Sequence, residues 1–184
     1  MEGLFKEQAI NIYEIKDDCK KPEPFKVIET GCKGFSAAWV GKDRIYMAFM
    51  GSIEAPCVEI LVYSLEYELI ERIKLDDTML MISSMTLSTD EKYLICAHLS
   101  LRITFIDTSS FKVTKDSPFD DDCDCIWRVA VTDGGKIVFA TSDGLYTGKL
   151  TSDGEFEAEA KLLKGCNVER SQVVHGEFIM CAVK

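Results

Sequence analysis

Short apolar segments separated by polar turns recur along the chain. The clearest unit is Ser88–Asp107, in which a polar turn precedes the apolar run Tyr93–Ala97, a short bend and an alternating segment. The unbroken apolar run predicts a strand that is buried on both faces. In the following segment, apolar residues from Leu101 to Phe105 alternate with Arg102 and Thr104. This alternation predicts a second strand with one apolar and one polar face.

The same order of strand, polar turn and strand recurs elsewhere. The other paired segments are Phe35–Val40 with Ile45–Met50, Ile126–Val131 with Ile137–Ala140, and Val168–Val174 with Phe178–Val183. A second series of turns follows strands that end at Ile15, Tyr63, Ile106 and Leu150. Both series have a period of roughly 40 to 48 residues, and two interleaved series with one period predict a four-stranded unit. About 40 to 45 residues is the length of one β-propeller blade.

Two of these units carry a resemblance to a known family. Ser88–Lys92 resembles the Ser-Pro-Asp-Gly-Lys turn of WD-repeat propellers, and Phe105–Asp107 stands where that family ends its third strand with Trp-Asp. Ile126–Val131, Thr132–Lys136 and Ser142–Gly144 fit the same pattern, although the family's Gly-His and Trp-Asp pairs are absent. The resemblance implies an all-β fold: a degenerate, WD-repeat-like β-propeller of four-stranded antiparallel blades.

We expect a single propeller region over residues 1–184. Its expected parts are a half blade (1–33), three blades (34–76, 77–124 and 125–165) and a second half blade (166–184). The half blades would be complementary, and three arrangements follow: closure into a four-bladed ring, exchange of ends between two chains, or completion by further blades of the same or another chain. WD-like rings usually have seven blades, so we favour an incomplete ring completed by further blades.

The charge of the chain disfavours two classes of partner. The 184 residues carry a formal net charge of −10 and 47% hydrophobic residues. A general nucleic-acid or anionic-membrane surface needs clustered Lys and Arg, so neither partner is expected. No apolar run approaches the length of a membrane span or a signal core. We therefore predict a soluble, cytoplasmic protein without membrane insertion.

The eight cysteines fit a reducing compartment. They are scattered irregularly, at Cys19, Cys32, Cys57, Cys96, Cys123, Cys125, Cys166 and Cys181. Cys123 and Cys125 resemble half of a zinc site, but no second ligand pair stands at a suitable spacing. We interpret the cysteines as free thiols and expect no metal site.

The search for catalytic residues is negative. His98 and His175 lie in or beside predicted strand turns, without a nucleophile elbow or a His-x-x-x-His pair. The acidic segment Asp120–Asp124 lacks the glycine and distal glutamate of a calcium loop. No glycine-rich phosphate loop leads into a helix. We therefore predict no catalytic, cofactor-binding or metal-binding residues, and no enzyme.

The candidate binding residues are aromatic and basic. Trp127 and Arg128 begin a first strand, and WD-like propellers often present such positions to partners. Arg102 and Trp39 are secondary candidates. Strand alternation places one of Trp127 and Arg128 inward, so a core tryptophan between blades is the competing interpretation.

The predicted function is a non-catalytic protein–protein interaction scaffold whose partners are other proteins. Two alternatives stay open. One is a propeller enzyme, such as a lactonase-like hydrolase with an axial metal. The other is a structural subunit that completes another protein's propeller.

Overall fold

The computed structural model describes residues 9–13, 23–32, 34–50, 57–75, 81–118, 125–151, 156–164, 168–175 and 178–183. Every regular element in these ranges is a β-strand. None of the described residues forms a helix long and apolar enough to cross a membrane.

The strands form five antiparallel sheets in chain order. The N-terminal two-stranded sheet contains β1 (Ala9–Ile12) and β2 (Lys26–Glu29). Sheet 1 contains β3 (Phe35–Val40), β4 (Arg44–Phe49), β5 (Glu59–Ser64) and β6 (Leu69–Lys74). Sheet 2 contains β7 (Ile82–Leu87), β8 (Tyr93–His98), β9 (Arg102–Asp107) and β10 (Val113–Pro118). Sheet 3 contains β11 (Ile126–Val131), β12 (Ile137–Thr141), β13 (Gly144–Leu150) and β14 (Phe156–Lys164). The C-terminal two-stranded sheet contains β15 (Val168–His175) and β16 (Phe178–Val183).

The first strands of successive sheets pack side by side. β3 contacts β7, β7 contacts β11, and β11 contacts β15. Within each four-stranded sheet, sequential strands are neighbours, so the fourth strand lies farthest from this shared inner edge. The described strands of the two end sheets do not pair with each other. The described sheets therefore form an open series.

The hydrophobic core lies between neighbouring sheets. One cluster joins sheets 1 and 2 and includes Ile60, Ile82 and Leu94, all fully buried. A second joins sheets 2 and 3 around Phe105 and Phe139. A third packs the N-terminal two-stranded sheet against sheet 1. Burial on both faces explains why the strands are apolar over long stretches.

The polar side of β9 is covered by neighbouring side chains. Thr104 is fully buried, and its hydroxyl lies 2.9 Å from Nε2 of His98, the last residue of β8. A buried hydroxyl needs such a partner because leaving it unsatisfied costs about 1–3 kcal/mol. The side of β9 that alternation predicts to be polar is therefore buried at Thr104. Its hydroxyl forms a hydrogen bond to the adjacent strand β8 and does not face solvent.

Candidate partner-binding site

Each of the four described first strands contains a register shift near its beginning. The shifts lie between Phe35 and Ala37, Ile82 and Ser84, Ile126 and Arg128, and Val168 and Arg170. The extra residues are Ser36, Ser83, Trp127 and Glu169. A β-bulge bends the strand and can re-aim its side chains. The same backbone device therefore recurs with different residues at its centre.

In sheets 1 and 2 the bulge residue is a serine that bonds to main-chain oxygens. Ser36 Oγ donates to the carbonyl of Ala48 at 3.2 Å, across the pair of strands β3 and β4. Ser83 Oγ donates to the carbonyl of Ile126 at 2.6 Å and has the carbonyl of Ala97 within 3.1 Å. Because Ile126 begins the first strand of sheet 3, Ser83 connects two neighbouring sheets.

In sheet 3 the bulge residue is Trp127, which is 37% exposed. The next residue, Arg128, is also exposed, whereas Ile126 and Val129 on either side are buried. Simple alternation predicted one of Trp127 and Arg128 to point inward, and this is wrong. The bulge interrupts the two-residue period, so two consecutive side chains reach solvent.

The exposed side chains of Trp127 and Arg128 carry hydrogen-bond donors. Among the described residues, neither the indole N–H nor the guanidinium has a hydrogen-bond or ion-pair partner. An indole carries one donor and a guanidinium carries five. Together they provide an apolar ring and several exposed donors, which is a common composition for the centre of a protein interface.

Arg102 lies at the same end of the sheets as Trp127. The register pairs Ile82 with His98 and Arg102 with Pro118, so β7 and β9 both begin at this end. The Ser83–Ile126 hydrogen bond shows that β11 begins at the same end of the sheets as β7. We call this end the start face. Arg102 is half-buried there and already has interactions within the fold.

Trp39 lies at the opposite end. It is the penultimate residue of β3, it pairs with Tyr46, and it is 39% exposed. We call this end the turn face, because here each first strand turns into the second. The structure therefore brings Trp127, Arg128 and Arg102 to one face and separates Trp39 from them.

The described histidine, cysteine and acidic side chains do not assemble into a metal site. The described residues include no group of three or more His, Cys, Asp or Glu side chains that could hold a metal ion. Among the described residues, Cys32, Cys57, Cys96 and Cys125 form no disulfide bond. Burial raises the pKa of Cys96, so it stays a neutral core thiol. The segment Asp120–Asp124, including Cys123, lies outside the described residues.

An ionic cluster that the sequence pattern did not reveal joins the segment after β2 to sheet 1. Glu59 on β5 pairs with the guanidinium of Arg72 on β6, and Arg72 also donates to the carbonyl of Thr30 at 3.2 Å. The thiol of Cys32 donates to Glu59 at 3.4 Å. Lys74 lies 3.7 Å from the same carboxylate. The register of β5 and β6 brings Glu59, Arg72 and Lys74 together. Thr30 and Cys32 reach Arg72 from 42 and 40 residues earlier in the chain.

The pKa of Glu59 reflects this cluster. Burial raises the pKa of the carboxyl, but the hydrogen bonds from Arg72 and Cys32 and the positive charges of Arg72 and Lys74 outweigh burial, and the pKa is lowered overall. Burial and the neighbouring carboxylate raise the pKa of Cys32 despite the opposing effect of Arg72. The cluster therefore holds an ionised glutamate and a neutral thiol, which suits a structural junction.

Comparison with known proteins identifies the fold. No protein-family model matches the chain, and no curated protein matches it in sequence. The structure is similar to the crystal structure of the β-propeller domain of Cps50 (Swd1) from Myceliophteria thermophila, with a TM-score of 0.66 and 10% identity. The match covers 97% of this chain and 61% of that domain, so the chain spans about three fifths of its length.

The chain therefore has an all-β, WD-repeat-like β-propeller fold, as predicted, and the four-stranded sheets are its blades. At 10% identity the likeness establishes the fold alone. Many unrelated functions are found on one fold, so function has to be argued from the residues of the site.

Proposed function

We propose that this protein is a non-catalytic protein–protein interaction scaffold that binds a partner protein at the start face. Trp127 and Arg128 are its anchor residues, and Arg102 contributes from the neighbouring sheet. The observation that carries this proposal is the bulge in β11, which leaves two consecutive side chains exposed.

The position of the anchor supports the proposal. Trp127 and Arg128 stand on a strand whose neighbours Ile126 and Val129 are buried, so their backbone is held by the core. A rigid backbone lowers the entropic cost of binding. Tryptophan and arginine are also enriched among the residues whose loss most weakens protein interfaces.

The serines at the bulges of sheets 1 and 2 suggest the test substitution for Trp127. Ser36 and Ser83 occupy the bulge positions of sheets 1 and 2, so Trp127→Ser introduces a residue that this backbone already accommodates. Trp39→Thr is the control on the turn face, because Thr86 has the corresponding penultimate position in β7. Both variants remove one exposed tryptophan.

The experiment is affinity capture from an extract of the source organism with the full-length chain as bait and quantitative mass spectrometry as the readout. We expect specific proteins that are captured by the wild type and by Trp39→Thr to be depleted at least about fivefold with Trp127→Ser or Arg128→Gln, equivalent to roughly 1 kcal/mol or more. Circular dichroism of each bait checks that it is folded. Equal capture by all four baits would contradict the proposal.

A further inference from the structure

A groove lies between sheets 2 and 3 at the turn face. Its walls are Ser88–Asp90, Lys92 and Tyr93 in the turn of sheet 2, the turn Gly134–Lys136 of sheet 3, and Lys149–Thr151 at the end of β13. Its volume is about 510 Å³. Small-ligand clefts have volumes of roughly 300–1,000 Å³, so the groove can hold a few side chains of a bound peptide.

The groove concentrates positive charge. Lys92, Lys136 and Lys149 line it, and Asp90 is the one acidic residue in its described lining. Lys92 Nζ lies 3.2 Å from Asp90, and Lys149 Nζ lies 3.6 Å from Glu157. Among the described residues, Lys136 has no carboxylate partner. This surplus of cations contrasts with the net charge of −10 for the whole chain.

The floor of the groove is apolar. Ile95 and Ile137 are buried at its base, and Val131, Leu150 and Tyr93 are half-buried along its sides. Cations around an apolar floor match a segment that has an apolar side chain between carboxylates. The overall negative charge repels a polyphosphate chain, so the same lysines are a poor site for nucleic acid.

We propose that the groove between sheets 2 and 3 binds an acidic peptide segment of a partner protein, with the carboxylates on Lys92, Lys136 and Lys149 and an apolar side chain on the floor. This site is on the opposite end of the sheets from Trp127. It therefore goes beyond the start-face anchor, and either site can fail without the other.

The probe is a fluorescein-labelled peptide with two glutamates on each side of a leucine, titrated with the full-length chain and followed by fluorescence anisotropy. The control peptide carries glutamine in place of each glutamate. We expect saturable binding of the acidic peptide, loss of binding by the control peptide, and weaker binding at high salt because exposed charges are screened.

The variants distinguish the groove from general charge attraction. Lys136→Gln is expected to weaken binding about threefold to fivefold, as removal of one exposed ion pair does. Lys112→Gln is the matched control, because Lys112 is an exposed lysine in the turn between β9 and β10, outside the groove. It is expected to leave binding unchanged, as is Trp127→Ser.

The inference would be overturned by absence of saturable binding, by equal weakening by Lys112→Gln and Lys136→Gln, or by tighter binding of a single-stranded RNA oligonucleotide than of the acidic peptide. Weakening by Trp127→Ser would also contradict it, because the probe would then be bound at the start face.

Discussion

Sheets 2 and 3 contain the same bulge at the beginning of the first strand but use it differently. In sheet 2 the bulge residue is Ser83, whose hydroxyl reaches the first carbonyl of the next sheet. In sheet 3 it is Trp127, which is exposed together with Arg128. The comparison shows that a repeated backbone feature can form a hydrogen bond between blades in one blade and expose two side chains in the next.

Exchanging the two bulge residues is expected to have the largest effect. Ser83→Trp places an indole in a half-buried position between sheets 2 and 3 and removes the hydrogen bond to Ile126. We expect a loss of about 2–3 kcal/mol in the free energy of unfolding, from overpacking and the lost bond. Denaturant unfolding followed by circular dichroism measures it.

The reverse exchange is the control. Trp127→Ser is expected to lower the free energy of unfolding by only about 1 kcal/mol, because Trp127 is 37% exposed and loses only its partial packing. If Trp127→Ser proved as destabilising as Ser83→Trp, Trp127 would be a core residue and the contrast between the two sheets would be wrong.

The contact between sheet 1 and the segment after β2 differs from the bulges because it contains the Glu59–Arg72 ion pair. Arg72→Met removes the main partner of Glu59, whose side chain is only 15% exposed. Allowing for the partial exposure of Arg72, we expect a loss of about 1–2 kcal/mol at neutral pH. The measurement is denaturant unfolding at neutral pH, with Arg128→Met as the control because it removes an arginine that has no described partner.

The same variant predicts a change in pH dependence. Since the pKa of folded Glu59 is lowered from its ordinary value of 4.5, its stabilising contribution is present above pH 4.5 and is lost as pH falls through the folded value. Wild-type stability should therefore fall on acidification in this window, and the fall should be smaller in Arg72→Met. An identical pH profile for both chains would show that the Glu59–Arg72 pair does not contribute.

The smallest change in stability is expected from a substitution in the turn between the first two strands of sheet 2. Glu91 has a left-handed backbone with φ of 56°, and Gly135 has φ of 80° in the matching turn, where both N–H groups bond three residues back. Glu91→Gly relieves the strain but loses the ion pair with Lys42. We expect a net gain of about 0.5 kcal/mol in thermal unfolding.

The control is Glu91→Gln, which loses the ion pair but keeps the strained backbone. It should be slightly less stable than the wild type. A glycine variant no more stable than the glutamine variant would mean that the turn of sheet 2 is not strained.

The strands were predictable because each depends on a local pattern. Phe35–Val40, Ile126–Val131 and Phe178–Val183 have the bounds that the apolar runs predicted. The bulges were not predictable, because a register shift is a property of two paired strands and leaves no mark in one of them. This is why alternation gave the wrong orientation for one of Trp127 and Arg128.

Sites formed by residues that are distant in the sequence could not be predicted either. Glu59 and Arg72 meet through the register of β5 and β6, Cys32 reaches them from the segment after β2, and the lysines of the groove come from two sheets. The turn at Gly134–Lys136 was recognised as a turn, but its neighbour across the groove could not be identified from periodicity alone. The residues of the candidate sites were therefore visible in the sequence, whereas their grouping required the fold.

The central claim is that the bulge in β11 exposes Trp127 on the start face, and quenching of its fluorescence tests this most directly. The chain contains two tryptophans, so Trp39→Phe leaves Trp127 as the single reporter. Titration with acrylamide should quench Trp127 clearly in the folded chain, but less strongly than in the chain unfolded by denaturant, because Trp127 is 37% exposed. Strong protection in the folded chain would place Trp127 in the core and contradict the account.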